Sequence, residues 1–387
     1  MKIVYVIDSL ASKGGAERII SEKMNYLAQK FGYDISVITC YQDPAAMPNA
    51  YYLSDEVKQI DLNIPYYSQY KYKYPQRLWV KYSMHRELCR KLKNEILSID
   101  PDVLIGLGYF MGDYVSSIKC KASKIIESHE ARIFTMSDRG LNRYWVSKLY
   151  MMIYRHFYFK TIEKRADVVV TLTNGDAKEW RKAKRVVVIP NYTMMRPATQ
   201  SYNTDSKRVI AVGRLEWQKG YDNLIKIWKK VSDKHPDWDL AIFGEGTLRD
   251  SLTSEIKSTG LINIEIHPFT SNISEEYSKS AIFALSSRFE GFPLVLLEAM
   301  QHGLPCVAFD CPFGPIDVIN NGTNGYIIKN NNTEVFAEKM CNLIESEELR
   351  VNFSKAARQR VNCFNIDIIM EIWNKLFKSL SLQYAKS

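Results

Sequence analysis

The chain has 387 residues, 46% of them hydrophobic and 25% charged, with a formal net charge of +9. That length exceeds one ordinary core and predicts two domains of about two hundred residues each. No apolar run reaches the ~20 residues that cross a bilayer, and the opening strand-like run is interrupted at Asp8, so neither a membrane span nor a secretion signal is expected.

Lys2–Ile7 reads as a buried strand, followed by Gly14-Gly15-Ala16-Glu17-Arg18 opening a helix over Ala16–Gln29. Gly14 and Gly15 would let a ligand approach the backbone at the helix start, although a structural turn explains such a pair equally well. A dinucleotide fingerprint would need Gly-x-Gly-x-x-Gly, which is absent. After a strand at Ile35–Thr39, the stretch Tyr66–Glu95 carries Lys71, Lys73, Arg77, Lys81, Arg86, Arg90, Lys91 and Lys93 against only Glu87 and Glu95, with tyrosines and Trp79 interleaved. This pattern suits contact with an anionic membrane surface, with Arg77, Lys81, Arg90 and Lys91 as its cations, or a solvated face on a helix over Gln76–Leu97. Asp100-Pro-Asp102 matches a metal-binding pair, but it precedes the strand Val103–Leu107 and reads as a helix-to-strand turn. Lys124–Glu127 is the next strand, and His129 follows it at the end where ligands bind in such folds, although a lone His is more often structural. Val168–Leu172 and Val186–Ile189 complete the strands of the first half.

Tyr192–Ser206 is polar, turn-rich and without period, which places the boundary between a first domain at 1–191 and a second at 192–365. Strands are expected at Arg208–Val212, Leu240–Phe243, Ile264–His267, Ile282–Leu285, Cys306–Phe309 and Gly325–Ile328. Helices are expected at Tyr221–Lys234, Leu248–Ser258, Pro293–His302 and Val335–Ser346, and a last helix within 366–387 covers Ile366–Leu382. Strand–helix alternation in both halves predicts two Rossmann-like, doubly wound parallel sheets, which would face a central cleft. Gly213-Arg214 ends the first strand of the second half and Lys219 starts the next helix, so both cations suit a phosphate, although surface charge flanking a turn explains the spacing equally well. Gly244-Glu245-Gly246 reads as a tight turn near the same ligand.

The most informative segment is Glu290-Gly291-Phe292-Pro293-Leu294-Val295-Leu296-Leu297-Glu298. Pro293 fits the first helical position, and the unpaired N–H groups after it form an anion site. Glu290 lies before that helix start. Glu298 lies inside the apolar helix, where a carboxylate needs a partner such as a ribose diol. The seven cysteines are scattered without Cys-x-x-Cys and read as reduced thiols of a cytosolic protein, with no metal site.

Together these motifs resemble the retaining, nucleotide-sugar-dependent glycosyltransferases of family 4, which have the GT-B fold, over nearly the whole chain. The resemblance implies that Arg214 and Lys219 hold the donor diphosphate, with Gly15 close by. It implies that Glu298 binds the ribose, and that Glu290 with the amides of Gly291, Phe292, Leu294 and Val295 surrounds the donor sugar. His129 matches the cleft histidine on the acceptor side, giving Glu290 and His129 as the catalytic pair. It further implies metal-independent transfer with retention, no cofactor, UDP favoured over GDP or ADP, and a last helix crossing back onto the first domain. Residues Ala308–Gly325 are similar to bacterial transferases that extend lipid-diphosphate-linked glycans. The partners expected are therefore a UDP-sugar, a polyprenyl-diphosphate-linked glycan and the inner face of the plasma membrane, with no nucleic acid. A nucleotide-sugar epimerase of the same fold and a non-catalytic basic membrane-binding module are the rival readings.

Overall fold

A computed structural model describes residues 1–42, 47–129, 159–193 and 202–384. Most of the boundary stretch Tyr192–Ser206, and residues 130–158, lie outside these. The chain forms two compact units, one of Met1–Leu172, Asp176–Ile189 and Met370–Ser387, the other of Thr173–Gly175 and Pro190–Ile369.

The first unit holds strands β1 (Lys2–Ile7), β2 (Asp34–Thr39), β3 (Val57–Asp61), β4 (Val103–Leu107), β5 (Ser123–Ser128), β6 (Val168–Thr171) and β7 (Val186–Val188). They lie side by side as β3-β2-β1-β4-β5-β6-β7, each neighbour parallel. Central strands are buried on both faces, as their unbroken β-branched runs require. The helix Gly15–Phe31 covers the sheet with Ile19, Ile20, Met24 and Leu27, and ends at Gly32 in the left-handed conformation. Asp100 also adopts that conformation at the end of the helix Gln76–Ile99, and Asp102 Oδ2 accepts the Lys2 N–H at 2.8 Å. The Asp-x-Asp sequence is thus a helix-to-strand turn.

The second unit holds β8 (Arg208–Val212), β9 (Asp239–Phe243), β10 (Ile264–His267), β11 (Ile282–Leu285), β12 (Cys306–Asp310) and β13 (Gly325–Lys329). Their order is β10-β9-β8-β11-β12-β13, again parallel throughout. Val209, Leu240, Ile282, Val307, Trp228 and Phe336 belong to one buried core in this unit. In each sheet the chain reverses its winding direction once, between β1 and β4 and between β8 and β11. Ligands in doubly wound sheets bind where the carboxyl ends of such strands part.

The last helix, Ile366–Tyr384, is counted with the second unit through Ile369 and with the first from Met370. Within the first unit its Asn374 accepts the Tyr33 hydroxyl at 2.6 Å, and its Phe377 meets the Tyr33 ring edge-on.

Candidate functional site

In the second unit the loops leaving β8 and β11 interlock at the switch point. Lys219 Nζ donates to Glu290 Oε1 at 2.7 Å, with the two side chains 14% and 6% exposed. Ser287 Oγ donates to the same oxygen at 2.5 Å. Arg288 grips Asp222 with two guanidinium nitrogens and donates to the Trp217 carbonyl. Gln218 Nε2 donates to the Phe289 carbonyl and Ser286 Oγ to the Lys219 carbonyl. Such close approach requires Gly220: its φ is +64°, and a Cβ there would collide with the Ser286 carbonyl. Gly244 and Gly246, after β9, are pressed in the same way against the carbonyls of Gly213 and Leu215.

Two sequence expectations need correction. Lys219 does not start the next helix but lies in the short turn Trp217–Lys219 before it, where it pairs with Glu290. Pro293 is not the first residue of its helix but the cap before it, with ψ at 90°; the helix is Leu294–Gln301. The Leu294 and Val295 N–H groups still open the helix. Phe292 turns its ring inward against Phe364, so only its backbone can serve a ligand there. Arg214 is exposed at the end of β8.

Glu298 lies one turn into the helix and is half-buried. Its Oε2 accepts the hydroxyl of the fully buried Tyr277 at 3.3 Å, so the carboxylate has a protein partner. Burial, and then the neighbouring Glu298 charge, push the Tyr277 hydroxyl well above its ordinary pKa, which keeps it a neutral donor. His302 accepts or donates at Ser274 Oγ and stands against the Glu298 carbonyl and the Tyr277 ring, bracing this helix from below.

In the first unit, β5 delivers Glu127 and His129. His129 Nε2 lies 2.9 Å from Glu127 Oε1, and Lys23 Nζ contacts both Glu127 oxygens, at 2.5 Å for Oε2. Lys23 and Glu127 are 1% and 2% exposed. Burial alone would raise the Glu127 carboxyl, but the charges of Lys23 and then His129 outweigh it and hold it at about 2. Gly15 is the first residue of the helix that carries Lys23, and Gly14 is its cap.

The basic stretch forms a short helical turn at Tyr66–Lys71 and the helix Gln76–Ile99. Trp79 is 75% exposed and Tyr74 68%, and Tyr70, Leu78 and Tyr82 are also open to solvent beside the exposed Lys81 and Arg90. Arg77 stacks on the Tyr70 ring at 4.2 Å. Lys91 departs from the expectation: it donates to the Leu62 carbonyl at 2.9 Å and pairs with Glu87, so it anchors the helix instead of extending the open face. Among the described residues no helix is long and apolar enough to cross a membrane.

Residues 197–360 match the family "Glycosyl transferases group 1". Across 387 aligned positions the chain is 30% identical to the amylovoran biosynthesis glycosyltransferase AmsD of Erwinia amylovora, covering 97% of this chain and 99% of the relative. The chain belongs to the group 1 glycosyltransferases. An alpha-1,4-N-acetyl-D-galactosaminyltransferase of Campylobacter jejuni, named for a diNAcBac-PP-undecaprenol acceptor, is 25% identical over 97% of this chain and 98% of its own. A crystal structure of TarM from S. aureus, in complex with fondaparinux, alpha-GlcNAc-glycerol and UDP, superposes with a TM-score of 0.74 at 16% identity, covering 97% and 99% of the two chains. The fold of this glycosyltransferase is accordingly GT-B.

Several of the residues described above escape the sequence reading. Arg288 and Asp222, which lock the two loops of this glycosyltransferase, look like ordinary surface charges along the chain. Lys23 gives no sequence signal of its own, since its partner is 104 residues away. Glu127 was findable: a carboxylate next to Ile125 and Ile126 in a buried strand needs a partner, the same reasoning that singles out Glu298.

Proposed function

We propose that the protein is a retaining, metal-independent glycosyltransferase that moves a hexose or N-acetylhexosamine from a UDP-sugar to a hydroxyl of a lipid-diphosphate-linked glycan in surface polysaccharide assembly. The observation that carries this reading is the Lys219–Glu290 pair standing before the open start of the Leu294–Gln301 helix. An ammonium has three N–H donors, so Lys219 can keep Glu290 and still meet a phosphate oxygen. The diphosphate sits at the helix amides, assisted by Lys219 and by Arg214 from the end of β8. Glu298, already oriented by Tyr277, accepts the ribose hydroxyls. Glu290 accepts from a hydroxyl of the donor sugar.

Departure of the diphosphate builds negative charge where these cations and amides are already aimed, so a divalent ion is not required. The acceptor oxygen bonds to the anomeric carbon as the bond to the diphosphate oxygen breaks. The bonding electron pair stays on that oxygen, which takes the acceptor's proton. Attack and departure on one face retain configuration without an enzyme nucleophile, unlike retaining glycosidases. His129 organises the acceptor side.

UDP is favoured by the UDP complex of TarM, and a polyprenyl-diphosphate acceptor by the name of the Campylobacter relative. The open aromatic and basic face around Trp79 and Lys81 suits an anionic bilayer and would hold the protein at the inner face of the plasma membrane. The test is thermal protection by UDP-, GDP- and ADP-sugars. A rise in unfolding temperature with UDP-sugars, lost in Lys219→Ala, is expected; protection by GDP- or ADP-sugars alone would overturn the nucleotide, and protection by none would overturn the reading.

A further inference from the structure

We infer that Glu127 is a positioning residue that fixes His129 in its Nε2–H tautomer, with Lys23 as the buried counter-ion that keeps Glu127 charged and in place. The argument starts from donor arithmetic. An ionised carboxylate only accepts hydrogen bonds. Glu127 Oε1 faces both Lys23 Nζ and, at 2.9 Å, His129 Nε2, so the His129 nitrogen must carry the hydrogen. In the neutral ring the lone pair then falls on Nδ1 alone. Of its two nitrogens, the one available to accept a proton or a hydroxyl is decided by Glu127.

Lys23 is what makes this assignment firm. Its ammonium reaches both carboxylate oxygens, so Glu127 cannot rotate toward another donor without breaking a buried ion pair. Lys23 is in turn sealed by aromatic rings: it lies 4.1 Å from the Trp373 ring of the last helix and 5.3 Å from the Tyr5 ring of β1. A buried ion pair of this kind gives little net stability over an apolar pair of similar volume, because desolvation offsets the attraction. What it does supply is a fixed direction for the third group, as a carboxylate does for a metal-bound or catalytic imidazole. The consequence for transfer rests on the proposed reaction: His129 Nδ1 accepts from a hydroxyl of the acceptor. The tautomer itself does not rest on it.

The test is long-range proton–nitrogen NMR on full-length protein labelled with 15N-histidine. The chain has six histidines, and a His129→Gln sample identifies the relevant signal. With the pH raised until the His129 ring is neutral, the wild type is expected to show it as Nε2–H with an unprotonated Nδ1. Glu127→Gln is expected to lose that preference, because an amide can donate as well as accept. Lys23→Met with Glu127→Gln removes both charges at similar volume; it is expected to fold and still to lose the tautomer. A neutral wild-type ring that carries its hydrogen on Nδ1, or a doubly substituted protein that keeps Nε2–H, would overturn the inference, and the wild-type spectrum decides even where a variant does not fold. A UDP-sugar titration of the same wild-type sample separates the two readings. Absence of donor binding would count against the proposed function while leaving the tautomer result intact. In transfer, Glu127→Gln is expected to lower kcat about tenfold with donor KM unchanged, whereas a purely structural role would be rescued in the charge-free pair.

Discussion

Lys219 and Glu290 are 71 residues apart in sequence, yet their side chains meet at 2.7 Å and exclude most solvent. Each is thereby held in one direction before any ligand arrives. Lys219→Ala would strand a carboxylate that is 6% exposed, at a cost of about 1–3 kcal/mol. Urea denaturation measures this cost. A fully stable Lys219→Ala that also binds UDP-sugars normally would remove the pair from the site.

Glu298→Ala is expected to weaken donor use by ~10–100-fold, the effect of one or two lost charged hydrogen bonds. Tyr277→Phe, which removes the hydroxyl that orients Glu298 at 3.3 Å, is expected to have a smaller effect in the same direction. Steady-state kinetics with varied donor compares them; wild-type kinetics in Glu298→Ala would exclude the ribose role.

The acid limb of stability should carry the signature of Glu127. Its carboxyl is held at about 2, below the ordinary 4.5, against burial and through Lys23 and then His129. A lowered carboxylate contributes stability that is present above the unfolded pKa and is lost as pH falls toward the folded one. The stability gap between wild type and Glu127→Gln should therefore shrink as pH falls from 4.5 to about 2. Urea midpoints at a series of pH values read this gap. A gap that stays constant would mean that Glu127 is not preferentially ionised in the fold.

Trp373→Ala should cost about 3–5 kcal/mol, the usual penalty for removing a buried aromatic. It also uncovers Lys23, whose ammonium lies 4.1 Å from that ring. Thermal unfolding measures the loss, and a shift no larger than that of an exposed substitution such as Trp79→Ala would contradict the packing.

Gly220→Ala tests the loop junction. Its φ of +64° disfavours a side chain, and the Ser286 carbonyl leaves no room for one. Gly32 has nearly the same φ, +65°, with nothing within 4 Å. Gly32→Ala should show the conformational cost alone, about 1 kcal/mol, and Gly220→Ala distinctly more. Equal midpoints in urea would show that the two loops do not abut.

Most of the fold was legible because its central strands are unbroken apolar runs, as at Val103–Leu107 and Val168–Thr171. The strand Val57–Asp61 was not, because it is an edge strand with only Val57 fully buried, so its Val-Lys-Gln-Ile-Asp run reads as a loop. The helix Gly108–Ser117 was also missed: Gly108 and Gly112 break its pattern, and most of its other residues are buried, which removes the polar face that reveals a helix. The site was legible as motifs but not as pairings. Spacing could bring Glu290 near a helix start, but only folding shows that Lys219 serves Glu290, that Tyr277 serves Glu298, and that Lys91 serves Leu62.

The most direct test of the account is the anomeric configuration of the product. The protein would be incubated, in excess chelator, with UDP-hexoses and UDP-N-acetylhexosamines and a synthetic polyprenyl-diphosphate-linked glycan, and the new linkage read by NMR. The account predicts transfer with the donor's configuration retained, abolished in Glu290→Gln. An inverted linkage, or wild-type transfer by Glu290→Gln, would contradict it.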